Sequence, residues 1–186
     1  MTKAKPFIKW VGGKSQLIEQ LDTQLPADFG NWDNVTYIEP FVGGGAMLFY
    51  LLQRYPNIQH AVINDINQDL VICYKTVRDS LGLLIESLKD IEKTYLALQT
   101  EEKRKDFFMA ARERYNEKGL DPIENTTKFF FLNRTCFNGL YRVNKKGLFN
   151  VPFGKYANPT ICDLNTLRKD SELLQRVEIL TGDFED

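Results

Sequence analysis

One strand–loop–helix–strand unit between residues 35 and 65 constrains the fold of this chain more than any other feature. Val35 to Ile38 is a short run rich in β-branched and aromatic residues, and it predicts a buried strand. Gly43-Gly44-Gly45 predicts a tight loop, Ala46 to Arg54 a helix, and Ala61 to Ile63 a second strand that ends at Asn64-Asp65. Strand, helix and strand in this order predict a parallel sheet and therefore an α/β fold.

The same unit brings a carboxylate to the edge of the sheet where the glycine loop lies. Asp65 follows Gly43 by 22 residues and ends the second strand. A carboxylate at that position can accept hydrogen bonds from both hydroxyls of a ribose. The Gly-x-Gly-x-x-Gly spacing of a pyrophosphate site is missing from the loop, which favours a nucleoside without a phosphate chain. An ordinary strand-to-helix turn, with Asp65 capping the next helix, is the open alternative.

A second glycine-rich segment lies near the start of the chain. Pro6 to Val11 predicts a short extended segment, and Gly12-Gly13-Lys14 separates it from a helix predicted to end at Pro26. Gly13-Lys14-Ser15 is similar to part of a phosphate-binding loop, but that motif requires a glycine at position 8, where Ile8 stands. A nucleotide triphosphatase or kinase is therefore disfavoured. The alternative role for Lys14 is a solvated helix start.

The middle of the chain has the pattern of a helical scaffold. Apolar residues recur at helical spacing over about 70–77 and 81–98, and a further helix is predicted from about Glu101 to Glu117. Asp121-Pro122-Ile123-Glu124 combines an N-cap, a proline at the first helical position and an acid three residues after the cap. A helix is therefore predicted to begin there.

The segment from Asn125 to Cys162 contains six basic residues and no Asp or Glu. Because the whole chain carries −1, the other residues carry −7. Leu140 to Val143 and Leu148 to Val151 flank Asn144-Lys145-Lys146-Gly147 and predict a β-hairpin with a basic tip. Cations neutralise phosphates and a hairpin fits the major groove, so this segment predicts a nucleic-acid contact. A solvated basic face over an aromatic core is the open alternative, and Phe129 to Leu132 are expected to lie in the core.

Cysteine, histidine and apolar content exclude several classes of protein. Cys73, Cys136 and Cys162 are odd in number and widely spaced, which argues for reduced thiols and against disulfides or structural zinc. With His60 as the only histidine, we expect no metal site. The longest apolar run, Phe41 to Leu52, holds three glycines and is too short to span a bilayer. These observations predict a soluble cytoplasmic protein.

Four segments resemble the Dam-type (D12 class) DNA adenine-N6 methyltransferases, and they cover nearly the whole chain in order. They are Phe7 to Lys14, Glu39 to Gly45, Asn64 to Asn67, and Leu132-Asn133-Arg134 through Phe149-Asn150-Val151-Pro152-Phe153-Gly154. The resemblance implies a Rossmann-like S-adenosylmethionine-binding domain, interrupted by a target-recognition domain made of helices and a β-hairpin. It also implies methyl transfer to adenine N6 in double-stranded DNA, and the hairpin resembles that of GATC-specific members.

The resemblance assigns a role to residues on both sides of the interruption. Trp10 and Lys14 would line the methionine side of the cofactor, and Asp65 would hold the ribose. Gly182-Asp183-Phe184, after the strand Val177 to Leu180, would flank the cofactor adenine. The implied cofactor-binding residues are Trp10, Lys14, Glu39, Phe41, Gly43, Gly44, Gly45, Asp65, Asp183 and Phe184. Phe137 would be a wedge beside the extruded adenine, and the other implied DNA-binding residues are Arg134, Asn138, Leu140, Arg142, Lys145, Lys146, Pro152 and Lys155.

One departure from the family pattern limits the expected activity. The catalytic tetrapeptide Asp-Pro-Pro-Tyr does not occur in residues 1–186, so no catalytic residue is assigned. We therefore expect the S-adenosylmethionine-binding part over 1–70, the recognition domain over 71–165, and a return to an incomplete catalytic domain over 166–186. We also expect the 186-residue chain to be inactive alone and to require a complementary C-terminal polypeptide. A DNA- or cofactor-binding module without turnover is the open alternative, and the sequence does not separate a restriction partner from a solitary methyltransferase.

Overall fold

A computed structural model describes residues 3–12 and 14–185, with Lys14 described by its backbone alone. Three parallel strands form the sheet: β1 (Val35–Glu39), β2 (Ile58–Asp65) and β3 (Val177–Thr181), in the order β1-β2-β3. Glu39 pairs with Ile63, and Asp65 pairs with Thr181. The carboxyl ends of all three strands therefore meet at one edge, and the predicted parallel α/β arrangement is confirmed.

Seven α-helices accompany the sheet within the described residues. They are α1 (Ile18–Asp22), α2 (Ala46–Arg54), α3 (Gln68–Asp79), α4 (Leu81–Leu96), α5 (Glu101–Asn116), α6 (Pro122–Thr135) and α7 (Leu164–Leu174). Single 3-10 turns lie at Lys14–Gln16, Phe29–Asn31 and Phe137–Gly139. No helix in the described ranges is long and apolar enough to cross a membrane.

Side-chain caps mark the starts of α3 and α6. The Asn67 side chain accepts a hydrogen bond from the Leu70 N–H (3.1 Å) at the start of α3. The Asp121 carboxylate accepts from the Ile123 and Glu124 N–H groups (3.0 and 3.1 Å), with Pro122 at the first position of α6. These bonds satisfy N–H groups that have no partner inside a helix. The helix start predicted at Asp121-Pro122 is confirmed.

The core runs from the sheet to α6 without interruption. α3 packs against β2 and β3 on one side and against α6 on the other, and α6 also packs against α4 and α5. The four residues Phe129 to Leu132 of α6 are all buried. An aromatic run buried on every side has no polar stripe, which explains why α6 is not amphipathic.

One face of the sheet is open. Side chains alternate between the two faces along each strand, and the strand pairing places Ile38, Val62 and Leu180 on this face. Ile38 is 64% exposed and Leu180 is 44% exposed, while Ile63 and Ile179 on the opposite face are buried. Parallel sheets are normally covered on both faces. Thr36, His60 and Glu178 on the same face are polar and exposed, so the open face has an apolar part around Ile38 and Leu180 within a mixed surface.

The two elements predicted near the chain start have different outcomes. Residues 6–11, predicted as an extended segment, join no strand of the sheet, and the Lys9 N–H donates instead to the Asn133 side chain (2.8 Å). The helix predicted up to Pro26 is reduced to the five residues of α1. Leu17 and Leu21 are exposed, so little apolar burial stabilises a longer helix there.

The predicted hairpin forms at its turn, but its arms pair only beside that turn. We call residues 140–151 the basic loop. Two backbone bonds join the arms, from the Asn144 N–H to the Leu148 carbonyl (2.9 Å) and from the Asn150 N–H to the Arg142 carbonyl (3.1 Å), and they flank one isolated bridge, Val143 with Phe149. In this bridge the Phe149 N–H and carbonyl point away from Val143, and they bond the Asn116 side chain of α5 (2.8 and 3.0 Å). The hairpin is therefore short and fastened to α5.

Candidate functional site

A cleft lies at the edge where β1 and β2 end. Its lining includes seven of the predicted cofactor residues: Trp10, Glu39, Phe41, Gly43, Gly44, Gly45 and Asp65. The cleft has a volume of about 170 Å³. Parallel pairing of β1 and β2 accounts for this convergence, because it brings the glycine loop after β1 beside the acid at the end of β2.

Asp65 holds the glycine loop in place through its carboxylate. Oδ2 accepts a hydrogen bond from the Gly43 N–H (3.0 Å), and Oδ1 accepts one from the Asn67 N–H (2.9 Å). An ionised carboxylate has about four acceptor positions, so each oxygen retains capacity for another donor. Asp65 can therefore organise the loop and accept ligand hydroxyls at the same time.

The three glycines of the loop permit close contacts that other residues would block. A Cβ at Gly43 would lie 2.9 Å from Cδ1 of Trp10, and one at Gly44 would lie 3.0 Å from Cβ of Trp10. Gly45 has φ = +74°, and its added Cβ would lie 2.5 Å from the Tyr74 hydroxyl. The missing side chains thus let the Trp10 indole and the Tyr74 hydroxyl pack directly on the loop backbone, which fixes the wall of the cleft.

Tyr74 is a support of the glycine loop that sequence reasoning missed. Its hydroxyl donates to the Gly43 carbonyl at 2.9 Å, from a ring that is fully buried in α3. Burial raises the pKa of Tyr74, so the phenol stays protonated and remains a donor. In the sequence, Tyr74 has the same helical spacing as the core residues Leu70 and Val77. No sequence signal therefore shows that its hydroxyl supports the loop.

Glu39 brings a second carboxylate to the cleft. It is buried at the end of β1, and its carboxylate lies beside Tyr37. Burial, followed by the nearby Glu39 charge, raises the pKa of the Tyr37 phenol. With Asp65, Glu39 makes the cleft acidic on the side of the strand ends, which favours a ligand that donates hydrogen bonds or carries a positive charge.

The remaining cofactor candidates lie beside the cleft or outside the described side chains. Asp183 and Phe184 line a neighbouring cavity that also contains Glu39 and Leu180. The Phe184 ring meets the exposed Phe41 ring edge-on, with centroids 5.0 Å apart. Phe41 lines the cleft and contacts Phe184, so it connects the two cavities. The predicted role of Lys14 falls on a side chain outside the described part of the structure.

The predicted DNA wedge and its neighbours lie on an exposed turn that follows α6. Phe137 is 52% exposed, and Asn138 is exposed with φ = +55°. The Phe137 N–H donates to the Pro152 carbonyl at 2.9 Å, which joins this turn to the end of the basic loop. Leu140, at the start of the basic loop, is half-buried. An apolar ring held out from a fixed turn has the form required for insertion between bases.

Arg142 is held in the basic loop by one partner. Its Nε donates to Asn150 Oδ1 (2.7 Å), and Nη2 donates to the Asn150 carbonyl (3.2 Å). Lys145 and Lys146 lie exposed at the tip of the loop. The arginine is thus oriented by a neighbouring side chain, whereas the two lysines are exposed to solvent.

Arg134 and Lys155 have partners inside the protein. Arg134 is half-buried and donates to the Phe7 carbonyl at 2.7 Å, and burial lowers the pKa of its guanidinium. Lys155 forms an exposed ion pair with Glu101 at 2.9 Å. DNA contacts by these two residues, like those of the others, stay predictions. Within the described residues, no group of three or more His, Cys, Asp or Glu side chains is placed to hold a metal ion.

Comparison with known proteins adds an independent finding. A model of the D12 class N6 adenine-specific DNA methyltransferase family matches residues 10–186. The chain is 49% identical to the type II methyltransferase M.MjaIII of Methanocaldococcus jannaschii, over 98% of this chain and 63% of that relative. It is 36% identical to the DNA adenine methylase of Haemophilus influenzae, over 98% of this chain and 58% of the relative. The chain therefore spans about three fifths of the length of these relatives.

Proposed function

Because this chain belongs to the D12 class N6 adenine-specific DNA methyltransferase family, we propose that it supplies the cofactor-binding and DNA-reading parts of such an enzyme. The reaction is transfer of a methyl group from S-adenosylmethionine to adenine N6 in double-stranded DNA, at GATC-like sites. The observation that carries the proposal is the cleft in which Asp65, the glycine loop and Trp10 meet. The acid-free basic loop supports the DNA half of the proposal.

The residues that line the cleft support S-adenosylmethionine as its ligand. We assign the ribose hydroxyls to Asp65, whose two oxygens retain acceptor capacity, and the methionine side to the glycine loop and Trp10. The cavity at Phe41 and Phe184 is assigned to the adenine, which stacks well on aromatic rings. The acidic surroundings suit a sulfonium cation, which is the methyl donor when the cofactor is bound.

The charges of the basic loop support a contact with duplex DNA. Arg142, oriented by Asn150, is assigned to a guanine edge in the major groove, where arginine binds O6 and N7 bidentately. Lys145 and Lys146 are assigned to phosphates, and Phe137 to the space left by the extruded adenine. In this assignment residues 71–165 form the recognition domain, and residues 1–70 and 166–186 belong to the catalytic domain.

The open face of the sheet supports a further polypeptide partner. Ile38 and Leu180 are exposed there and also line the cavity assigned to the adenine, so polypeptide on this face would close that cavity as well. Covering such a face stabilises a parallel sheet by removing apolar surface from water. We assign it to polypeptide that carries the Asp-Pro-Pro-Tyr groups, which hold the adenine amino group in line with the methyl. A cytoplasmic location belongs to the same proposal, because the three cysteines are free thiols and the substrate is cellular DNA.

The test is transfer of a labelled methyl group from S-adenosylmethionine to a duplex containing one GATC site. The 186-residue chain is assayed alone and with a polypeptide comprising the final two fifths of M.MjaIII, and the products are digested to nucleosides. We expect label in N6-methyladenine only when both polypeptides are present. Label in cytosine, or turnover by the chain alone on the order of one per second, would contradict the proposal. Binding of both ligands without transfer would support the non-catalytic module instead.

A further inference from the structure

One aromatic side chain contacts both the cofactor cleft and the basic loop. Tyr141 precedes Arg142 in the basic loop, and its ring stacks on the Trp10 indole with centroids 5.1 Å apart and planes inclined by 27°. Trp10 is a wall of the cleft. The Tyr141 ring is also packed against Phe129 and Phe149, with centroids at 5.4 and 6.1 Å. Its position is therefore fixed on three sides.

The hydroxyl of Tyr141 reaches the segment that follows β2. It donates to Asp69 Oδ2 at 3.5 Å, and the Asn67 side chain lies close to it. The Asn67 N–H in turn donates to Asp65 Oδ1 at 2.9 Å. A short chain of contacts therefore connects Asp65, whose carboxylate is assigned to the ribose, with Tyr141, which precedes the guanine-assigned Arg142.

The backbone on both sides of this contact is fastened together. The Asn133 side chain accepts from the Lys9 N–H (2.8 Å) and donates to the carbonyls of Lys9 (2.8 Å) and Gly139 (3.0 Å). A Cβ at Gly139 would lie 2.3 Å from Cδ of Lys9, so only glycine fits there. Lys9 precedes Trp10, and Gly139 ends the turn that carries Phe137. The segment holding Trp10 and the DNA-facing turn thus form one packed unit.

We propose that Tyr141 is a positioning residue that couples cofactor binding to DNA binding. The inference rests on the proposed function. A ligand held against Trp10 restricts the indole and hence the Tyr141 ring stacked on it, so less freedom remains to be lost when the basic loop binds DNA. By linkage the effect is reciprocal, and couplings of this kind typically change affinity about 5- to 150-fold.

The experiment measures the affinity of S-adenosylmethionine by titration calorimetry, with and without a saturating 20-base-pair duplex containing GATC. For the unaltered chain we expect the duplex to raise cofactor affinity at least fivefold. We call the cofactor affinity with the duplex, divided by the affinity without it, the coupling ratio. Tyr141→Leu removes the ring and is expected to bring this ratio close to one. Tyr141→Phe keeps the stacking and is expected to keep most of the ratio, because the hydroxyl bond to Asp69 is long.

Phe107→Leu is the matched control. It removes a half-buried ring that packs on Tyr95 and Phe131, away from Trp10, and it should leave the ratio unchanged. A normal ratio in Tyr141→Leu, or an equal loss in Phe107→Leu, would overturn the coupling role. If the unaltered chain binds both ligands with a ratio of one, the coupling fails and the proposed function stands. If it binds neither ligand, the proposed function itself fails and the coupling with it.

A spectroscopic readout covers the case in which Tyr141→Leu folds poorly. Trp10 and Trp32 are the only tryptophans, so Trp32→Phe leaves the Trp10 emission as the single tryptophan signal. Duplex DNA without cofactor is expected to change this emission in the Trp32→Phe chain and in its Tyr141→Phe derivative. Emission that does not respond to bound DNA in either chain would contradict the contact between the two sites.

Discussion

Replacement of Asp65 by alanine tests the cleft at its most connected residue. The substitution removes acceptors for two backbone N–H groups, those of Gly43 and Asn67, and the group assigned to both ribose hydroxyls. Hydrogen bonds to charged groups contribute about 1.5–3 kcal/mol each when a partner is removed from a buried site, and less where water can substitute. Because Asp65 is half-buried, we expect about 1–2 kcal/mol lower stability. Loss of the ribose contacts should weaken S-adenosylmethionine by a further ~1.5–3 kcal/mol, or about 10- to 150-fold.

Asp121→Ala provides a matched control for this experiment. Asp121 also accepts two backbone N–H bonds, at the start of α6 and away from the cleft. Urea unfolding should show similar losses of stability in the two variants, while titration calorimetry should show weakened cofactor binding in Asp65→Ala alone. Equal cofactor affinity in two folded variants would refute the assignment of the ribose to Asp65.

Three further predictions follow from local geometry. Gly45→Ala should lower the free energy of unfolding by at least about 2 kcal/mol more than Gly147→Ala does. Both glycines have φ near +74°, but only at Gly45 would the added methyl group meet a close neighbour, the Tyr74 hydroxyl. Equal stability of the two variants in urea unfolding would contradict this clash. Arg142→Ala should lose about 1–3 kcal/mol of discrimination at one base pair, whereas Lys146→Ala should weaken binding to all duplexes alike. Fluorescence anisotropy with single-base variants of the site measures both effects. Uniformly weaker binding by Arg142→Ala would reassign Arg142 to a phosphate contact. Burial raises the pKa of Asp170 to about 8, so the folded state holds a proton that the unfolded chain releases near pH 4. The free energy of unfolding should therefore fall as pH rises from about 4 to about 8, and Asp170→Asn should flatten this dependence. Identical pH profiles of stability for the two chains would contradict the prediction.

The sequence predicted the parts of the fold that depend on short-range patterns. The unit from β1 to β2 and the start of α6 were accessible because glycine loops, alternating apolar residues and N-caps act over a few residues. The aromatic run Phe129 to Leu132 was correctly expected in the core, because four consecutive large apolar side chains cannot all be exposed without cost. The meeting of Trp10, Asp65 and the glycine loop in one cleft agrees with the residues named from the family resemblance.

Long-range partners account for what the sequence did not predict. The arms of the basic loop pair only beside the turn, and Asn116, 33 residues from Phe149, bonds the outward-facing backbone groups of that residue. Arg134 turns toward the Phe7 carbonyl, 127 residues away in the chain. Tyr74 and Tyr141 have no pattern that distinguishes a supporting hydroxyl or a stacked ring from ordinary core packing. Each of these contacts is decided by tertiary packing, which single-sequence patterns do not encode.

Amide resonances of the ¹⁵N-labelled 186-residue chain, recorded while first S-adenosylmethionine and then a GATC duplex are added, test the central claim most directly. The account predicts that the cofactor shifts the resonances of Gly43, Gly44, Gly45, Asp65 and Asn67. The duplex should then shift those of Phe137, Asn138, Arg142, Lys145 and Lys146, and amides of α4 should change little in either step. Cofactor shifts confined to the groove between α2 and α7, or DNA shifts that leave the basic loop unchanged, would contradict the account.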